Sequence, residues 1–152
     1  MRSEHGIDGE RVGLIVVDHG SRRSVSNLVH EDLVRAWRPG GAYVAVEPAH
    51  MELAEPSIES AFDACVDAGA TIVVVAPYFL GPGRHWERDI PELAATVAAR
   101  HAGVRHLVTA PLGPDPRLLD LLEARADVCR EHATGARAAC TLCEGTDHCR
   151  LR

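Results

Sequence analysis

Short apolar runs alternate with amphipathic stretches along this chain. Residues 12–17 form a continuous run rich in valine and isoleucine, the pattern of a strand buried on both faces. Residues 71–76 (TIVVVA) give the strongest strand signal, and 43–47 and 106–110 are shorter candidates. Residues 24–37 place Leu28, Leu33, Val34 and Trp37 at near-helical spacing, and residues 57–68 put Ile58, Ala61, Phe62 and Cys65 on one helical face. A third helix is expected to open at Asp89-Ile90-Pro91, with the aspartate as N-cap and the proline in the first turn. Asp115-Pro116 opens a fourth in the same way. Gly69 and Gly103 fall just past helix ends, where glycine stops a helix. The order β-α-β-α-β-α-β-α with short links predicts an α/β fold, a mainly parallel four-stranded sheet with helices on both faces.

The pattern fades near Arg130. An α/β domain is therefore expected over residues 1–130 and a Cys-rich tail over 131–152. The tail has no convincing period, so metal ligation would be the obvious way to order it. Cys129, Cys140, Cys143 and Cys149 carry the spacing C-x10-C-x2-C-x5-C. Four thiolates suit an iron–sulfur cluster or a structural zinc ion. Cys65, the remaining cysteine, fits the apolar face of its helix and reads as core.

Composition narrows the field. The chain has 152 residues, 46% hydrophobic and 25% charged, the make-up of one ordinary globular domain. A net charge of −6 argues against nucleic acid as a partner. No segment approaches the ~18 apolar residues of a membrane span. Residues 1–6 are polar and carry no signal-peptide core, so the protein is expected in the cytoplasm, where clustered cysteines bind metal more often than they pair. There is no lysine, which removes Schiff-base chemistry and the phosphate-binding lysine of nucleotide loops.

Ligands of open α/β sheets bind beyond the carboxyl ends of the strands. After the first strand stand Asp18, His19, Gly20, Ser21, Arg22 and Arg23. After the second come His50, Met51, Glu52 and Glu55, and after the third Arg84, His85, Trp86, Glu87 and Arg88. The topology would gather imidazoles, carboxylates and arginines on one edge. Two imidazoles and a carboxylate hold a divalent first-row metal with positions left open, and arginines suit a polycarboxylate. His50 reads as a loop residue. His5, His30, His101, His106 and His132 read as solvent-facing or helix-end side chains.

These segments resemble the small sirohydrochlorin metal chelatases of the CbiX/SirB type, in the plant-type form with a carboxy-terminal iron–sulfur segment. Val16-Val17-Asp18-His19-Gly20-Ser21-Arg22-Arg23 is similar to the family's first histidine motif. Glu47-Pro48-Ala49-His50-Met51-Glu52-Leu53-Ala54-Glu55-Pro56-Ser57 resembles its carboxylate motif, and Gly83-Arg84-His85-Trp86-Glu87-Arg88-Asp89-Ile90-Pro91 its second histidine motif. Thr109-Ala110-Pro111-Leu112-Gly113-Pro114 resembles the fourth-strand motif, and residues 140–149 the plant-type tail. Where many relatives follow the fourth-strand motif with histidine, this chain has Asp115, so no metal-delivery role carries over to that position.

The resemblance implies a class II chelatase fold and ATP-independent insertion of a divalent metal into sirohydrochlorin. It assigns metal binding and catalysis to His19 and His85, with Glu52 assisting. It implies a [2Fe–2S] cluster on Cys129, Cys140, Cys143 and Cys149, with Zn²⁺ as the alternative, and a homodimer. Ser21, Arg22, Arg23, Arg84 and Arg88 are the candidates for holding the substrate's acetate and propionate groups. Fe²⁺ insertion, giving siroheme, is the expected reaction. Co²⁺ insertion for cobalamin synthesis is the alternative, and a non-catalytic metal or tetrapyrrole carrier or a redox sensor is the competing class.

Overall fold

The computed structural model describes residues 9–137, 140, 141, 143, 146, 148 and 150–152. The chain divides into two compact units, Met1–Gly113 and Pro114–Arg152. The first contains β1 (Val12–Asp18), α1 (Ser24–Ala36), β2 (Tyr43–His50), α2 (Ile58–Asp67), β3 (Ile72–Pro77), a π-helical turn (His85–Asp89), α3 (Ile90–Ala98) and β4 (Arg105–Val108). The strands form one parallel sheet in the order β2-β1-β3-β4. The expected parallel sheet with helices on both faces is thus present. No helix among the described residues is long and apolar enough to cross a membrane.

Alternation along the strands sorts the packing. Ile15, Val17, Val73 and Val75 face the apolar sides of α2 (Ile58, Ala61, Phe62, Cys65) and α3 (Ile90, Ala94, Val97). Leu14, Val16 and Val74 face α1 on the other side. Gly13 lets α2 approach β1, because a Cβ there would lie 2.7 Å from that of Cys65. Burial, with a smaller push from the Glu47 charge, raises the Cys65 thiol to about 12, so this cysteine is a core residue and not a nucleophile.

Three elements differ from the sequence expectation, each for a physical reason. β2 runs on through Pro48 to His50. It is an edge strand, so the missing proline N–H costs no ladder bond there. Asp89 is not an N-cap. Its backbone is already helical and its carboxylate makes no cap bond, because the π-helical turn runs straight into α3. Finally, α1 turns a polar face inward. Asn27, His30, Glu31 and Val34 are buried, whereas Leu28, Leu33 and Trp37 are about half exposed. Both faces of α1 have helical period, and the polar one wins because its groups find hydrogen-bond partners.

In the second unit, α4 (Pro116–Ala133) starts as expected at Asp115, whose side chain accepts from the Arg117 backbone N–H at 2.9 Å. The hydrogen bond from the Arg117 guanidinium, aided by that backbone bond, holds this carboxyl at about 2. The anticipated boundary at residue 130 falls inside α4.

Candidate active site

Parallel register brings the strand ends together. Asp18 at the end of β1 stands opposite His50 at the end of β2, and Val17 opposite Pro77 of β3. His19 is therefore the first residue beyond the sheet. Two backbone bonds extend the pairing past the strands: Met51 N–H donates to the Asp18 carbonyl (2.8 Å) and Glu52 N–H to the His19 carbonyl (3.1 Å). They fix His19 and Glu52 side by side. The loop that follows carries Leu53 at φ +70°, a strained value for leucine, next to the carboxylate it presents.

The His19 ring donates from Nδ1 to the Gly20 carbonyl at 3.0 Å, which leaves the Nε2 lone pair free. That atom lies 3.1 Å from Glu52 Oε1. A lone pair facing a carboxylate oxygen at this distance needs a proton or a metal cation between them. His85, at the start of the π-helical turn, donates from Nδ1 to Asp89 Oδ2 at 2.8 Å, and its Nε2 is likewise left for a ligand. The two rings meet edge to face, with centroids 5.0 Å apart. His19, Glu52 and His85 are each about half exposed, so the group opens to solvent.

Two clefts of opposite character meet at His85. One, of about 300 Å³, is lined by His19, Phe79, Gly81, Pro82, His85 and Trp86. Trp86 is anchored by its indole N–H to the Thr109 carbonyl at 2.8 Å. The other, of about 660 Å³, has Glu52, Arg84, Asp89 and Glu92 in its wall. Arg84 thus reaches the site, paired with Asp89 at 3.6 Å. Arg88 pairs with Asp89 and Glu92 at 3.8 Å and lines neither cleft. Arg22 and Arg23 are exposed at the start of α1. Ser21 is held in its turn, with backbone N–H and carbonyl bonded to the Asn27 amide and Oγ accepting from Arg23 N–H.

Sequence reasoning missed several groups. His50 is fully buried and hydrogen-bonded to Asp18 and Glu31, not a loop side chain. His30 is buried too, bonded from Nε2 to the Val16 carbonyl, and not solvent-facing. His101 is half-buried, stacked on Phe62 and bonded to Asp63. His106 is exposed and His132 lies in the last turn of α4, while His5 lies outside the described residues. Asp89, the partner of His85, was legible in principle, since four residues separate them and share a helix face. Glu55 is spent on α2, accepting from Ser57 N–H and Ser60 Oγ at 2.7 Å each, which leaves Glu52 as the carboxylate at the cleft.

Cys129, Cys140 and Cys143 are half-buried free thiols in the second unit, and Cys149 lies outside the described residues. Among the described residues no group of three or more histidine, cysteine or acidic side chains is gathered to hold a metal. The donor chemistry, thiols without a disulfide partner, fits a thiolate-held group.

Four carboxyls of the first unit lie below their ordinary range, Glu59 among them through the hydrogen bond from the Arg100 guanidinium. Burial pushes Glu31 up, but hydrogen bonds from His50 and Arg35 and their charges outweigh it. Hydrogen bonds from Ser60 and Ser57 lower Glu55, and the bond from His85 lowers Asp89. Each is lower folded than unfolded, so its stabilisation is complete above the unfolded value near ~4 and vanishes as pH falls through the folded one. Melting temperature by circular dichroism should stay level from about pH 7 to about pH 5 and drop below about pH 4. A level profile down to about pH 3 would mean these bonds do not couple to folding.

The CbiX family model matches residues 13–128. The chain belongs to the CbiX family. This CbiX-family chain is 51% identical over 143 residues to a protein of Arabidopsis thaliana named sirohydrochlorin ferrochelatase, chloroplastic, covering 94% of the chain and 64% of that protein. It thus spans less than two thirds of that relative's length. It is 31% identical over 139 residues to the sirohydrochlorin cobaltochelatase of Methanococcus maripaludis, covering 75% of the chain and 96% of that protein. Among solved structures, the sirohydrochlorin chelatase SirB from Bacillus subtilis subspecies spizizenii in complex with cobalt superposes with a TM-score of 0.69 at 31% identity, over 79% of this chain and 51% of that one.

Proposed function

We propose that this CbiX-family chain is a sirohydrochlorin ferrochelatase, a lyase that inserts Fe²⁺ into sirohydrochlorin to give siroheme without ATP. One observation carries the reading. His19 and His85, from separate loops, bring their rings together beside Glu52 with both Nδ1 atoms tied down, so both Nε2 lone pairs are free for an incoming ion.

Insertion must strip water from the ion, seat the macrocycle and remove two pyrrole protons. Imidazole nitrogens replace part of the ion's water and leave positions for the ring nitrogens. The apolar wall of Phe79 and Trp86 suits the face of a tetrapyrrole, and the acidic wall of Glu52, Asp89 and Glu92 suits the approach of a cation. As the metal passes to the ring, the His19–Glu52 pair is placed to take the two pyrrole protons in turn and pass each to solvent, since the pair needs a cation between its atoms. Charge balances: a divalent ion enters and two protons leave. Arg84, with Ser21, Arg22, Arg23 and Arg88 nearer the rim, is the candidate for the acid side chains.

Cobalt insertion is the second reading. It is favoured by the name of the archaeal relative and by a nitrogen–oxygen donor set that takes either metal. An anaerobic assay with Fe²⁺, Co²⁺ and Ni²⁺ in competition, following the visible spectrum of sirohydrochlorin, separates the possibilities. Multiple turnovers with iron preferred is the expected result. A stop after one equivalent would make the protein a carrier.

Three further points belong to this reading. Cys129, Cys140, Cys143 and Cys149 would hold a [2Fe–2S] cluster, which supplies redox sensitivity when bound, and stoichiometric zinc in a colourless anaerobic preparation would replace it with a structural ion. A homodimer agrees with the apolar groove of about 720 Å³ lined by Val16, Trp37, Tyr43 and Tyr78 beside the exposed Leu33, and a monomer mass by light scattering would refute it. A reducing cytoplasm suits free thiols and ferrous iron alike, which fractionation of the native protein tests.

A further inference from the structure

Behind the His19–Glu52 pair lies a buried polar cluster that the proposed chemistry does not use. His50 is 0% exposed. Its Nδ1 is 2.5 Å from Asp18 Oδ1 and its Nε2 is 3.2 Å from Glu31 Oε1, on opposite sides of the ring. Both nitrogens face carboxylate oxygens, so each contact carries a proton between nitrogen and oxygen. Glu31 is held from its far side by Arg35 at 2.9 Å. The second Asp18 oxygen lies 3.9 Å from His30 Nδ1, beyond hydrogen-bond range, while His30 Nε2 is spent on the Val16 carbonyl.

Burying such a set costs more than an apolar packing of the same volume, so its placement asks for a reason. The reason lies where the cluster ends. Asp18 Oδ1, the oxygen that accepts from His50, also accepts from Gly20 N–H at 3.0 Å. That bond sets the Gly20 turn, and the carbonyl of Gly20 is the group that orients the His19 ring. His50, two residues before Glu52, also closes the carboxylate loop that follows its strand, donating its backbone N–H to the Pro56 carbonyl at 2.8 Å. One residue therefore touches the frame of both halves of the pair, through its ring on the His19 side and its backbone on the Glu52 side.

We propose that His50 is a positioning residue for the His19–Glu52 pair, of which His19 is a metal-holding side chain, acting through Asp18 on the Gly20 turn. This rests on the chelatase reading of those two side chains. His50 touches neither metal nor macrocycle. Its work is to hold Asp18 so that the His19 Nε2 lone pair points at the Glu52 carboxylate before an ion arrives.

Two amides divide the ring's duties. Asparagine carries an N–H near the place of Nδ1 and keeps the Asp18 bond, whereas glutamine reaches the place of Nε2 and keeps the Glu31 bond. The test is an anaerobic Co²⁺ titration of the full chain without tetrapyrrole, read in the visible ligand-field bands. The difference between wild type and His19→Ala defines the signal of this site apart from the tail thiols. The expected result is that His50→Gln weakens Co²⁺ binding at that site by about 10-fold to 100-fold, the usual range for loss of a ligand-orienting partner. His50→Asn should stay within about 3-fold of wild type, and KM for sirohydrochlorin should be unchanged in both while kcat falls only in the glutamine variant.

Equal Co²⁺ affinities in the two variants, whether both normal or both weakened, would overturn the proposal, because a merely structural role does not distinguish the two bonds. Should neither variant fold, Asp18→Asn takes their place. Weakened Co²⁺ binding with KM for sirohydrochlorin unchanged is then expected, and unchanged affinity refutes the inference. If wild type and His19→Ala give the same Co²⁺ spectrum, the chelatase reading of His19 itself fails and takes the positioning role with it. That outcome is distinct from a failure of the His50 variants alone.

Discussion

Replacing either His19 or His85 with alanine is expected to cut metal insertion more than about 100-fold, beyond the 10-fold to 100-fold that follows loss of a group merely orienting a ligand. Each ring supplies a free Nε2, and neither has a neighbour positioned to replace it, since Glu52 is the only other donor described between them. The fold should survive. The two side chains are 44% and 46% exposed, so truncation opens no cavity in the core, and surface changes of this kind stay within about 0.5 kcal/mol. Sirohydrochlorin binding, followed by its fluorescence, should persist in both variants because the apolar wall of Phe79 and Trp86 remains. Glu52→Gln keeps an oxygen donor and loses the charge, so its rate should fall between those of wild type and the histidine variants. A single-turnover rate equal to wild type in His19→Ala or His85→Ala would remove that residue from the reaction.

The sheet was legible because its signal is redundant. Residues 12–17 and 72–76 carry no polar side chain, and short β-branched runs of this kind suit a strand covered on both faces. His19 and His85 could be singled out because they follow strands one and three, and a parallel sheet brings those ends to one edge. What stayed hidden is hidden for a common reason: a polar residue inside a helix or strand carries no mark of its partner. Leu28, Leu33 and Trp37 advertise one face of α1, yet Asn27, His30 and Glu31 go inward, because Ser21, Val16 and His50 supply their hydrogen bonds across gaps of 6, 14 and 19 residues. His50 reads as a loop residue because the strand pattern covers only residues 43–47, and edge position is what lets the strand run on through Pro48. Asp89 shows local chemistry misread, since a helical opening was expected where a π-helical turn had already begun.

Gly20→Ala should be the most damaging glycine-to-alanine change among the described residues. Gly20 has φ +87°, a region that costs an alanine about 1–2 kcal/mol. Its Cβ would also land on the backbone carbonyl oxygen of Glu52 and lie 3.2 Å from the Cβ of His50. A backbone oxygen cannot swing aside as a side chain does. Relief requires the Glu52 loop to move away and to give up the bond from Glu52 N–H to the His19 carbonyl. Forced overpacking adds about 1–3 kcal/mol, so a total loss of about 2–5 kcal/mol in urea denaturation is expected. The surviving folded molecules should insert metal slowly, because the displacement separates His19 from Glu52. Gly81→Ala is the control. A Cβ there meets no atom within 4 Å, so it should cost less than about 0.5 kcal/mol although Gly81 borders the same cleft. If Gly20→Ala matched Gly81→Ala in both stability and rate, the close approach of the Glu52 carbonyl to the His19 turn would be wrong, and with it the arrangement that makes one site of two loops.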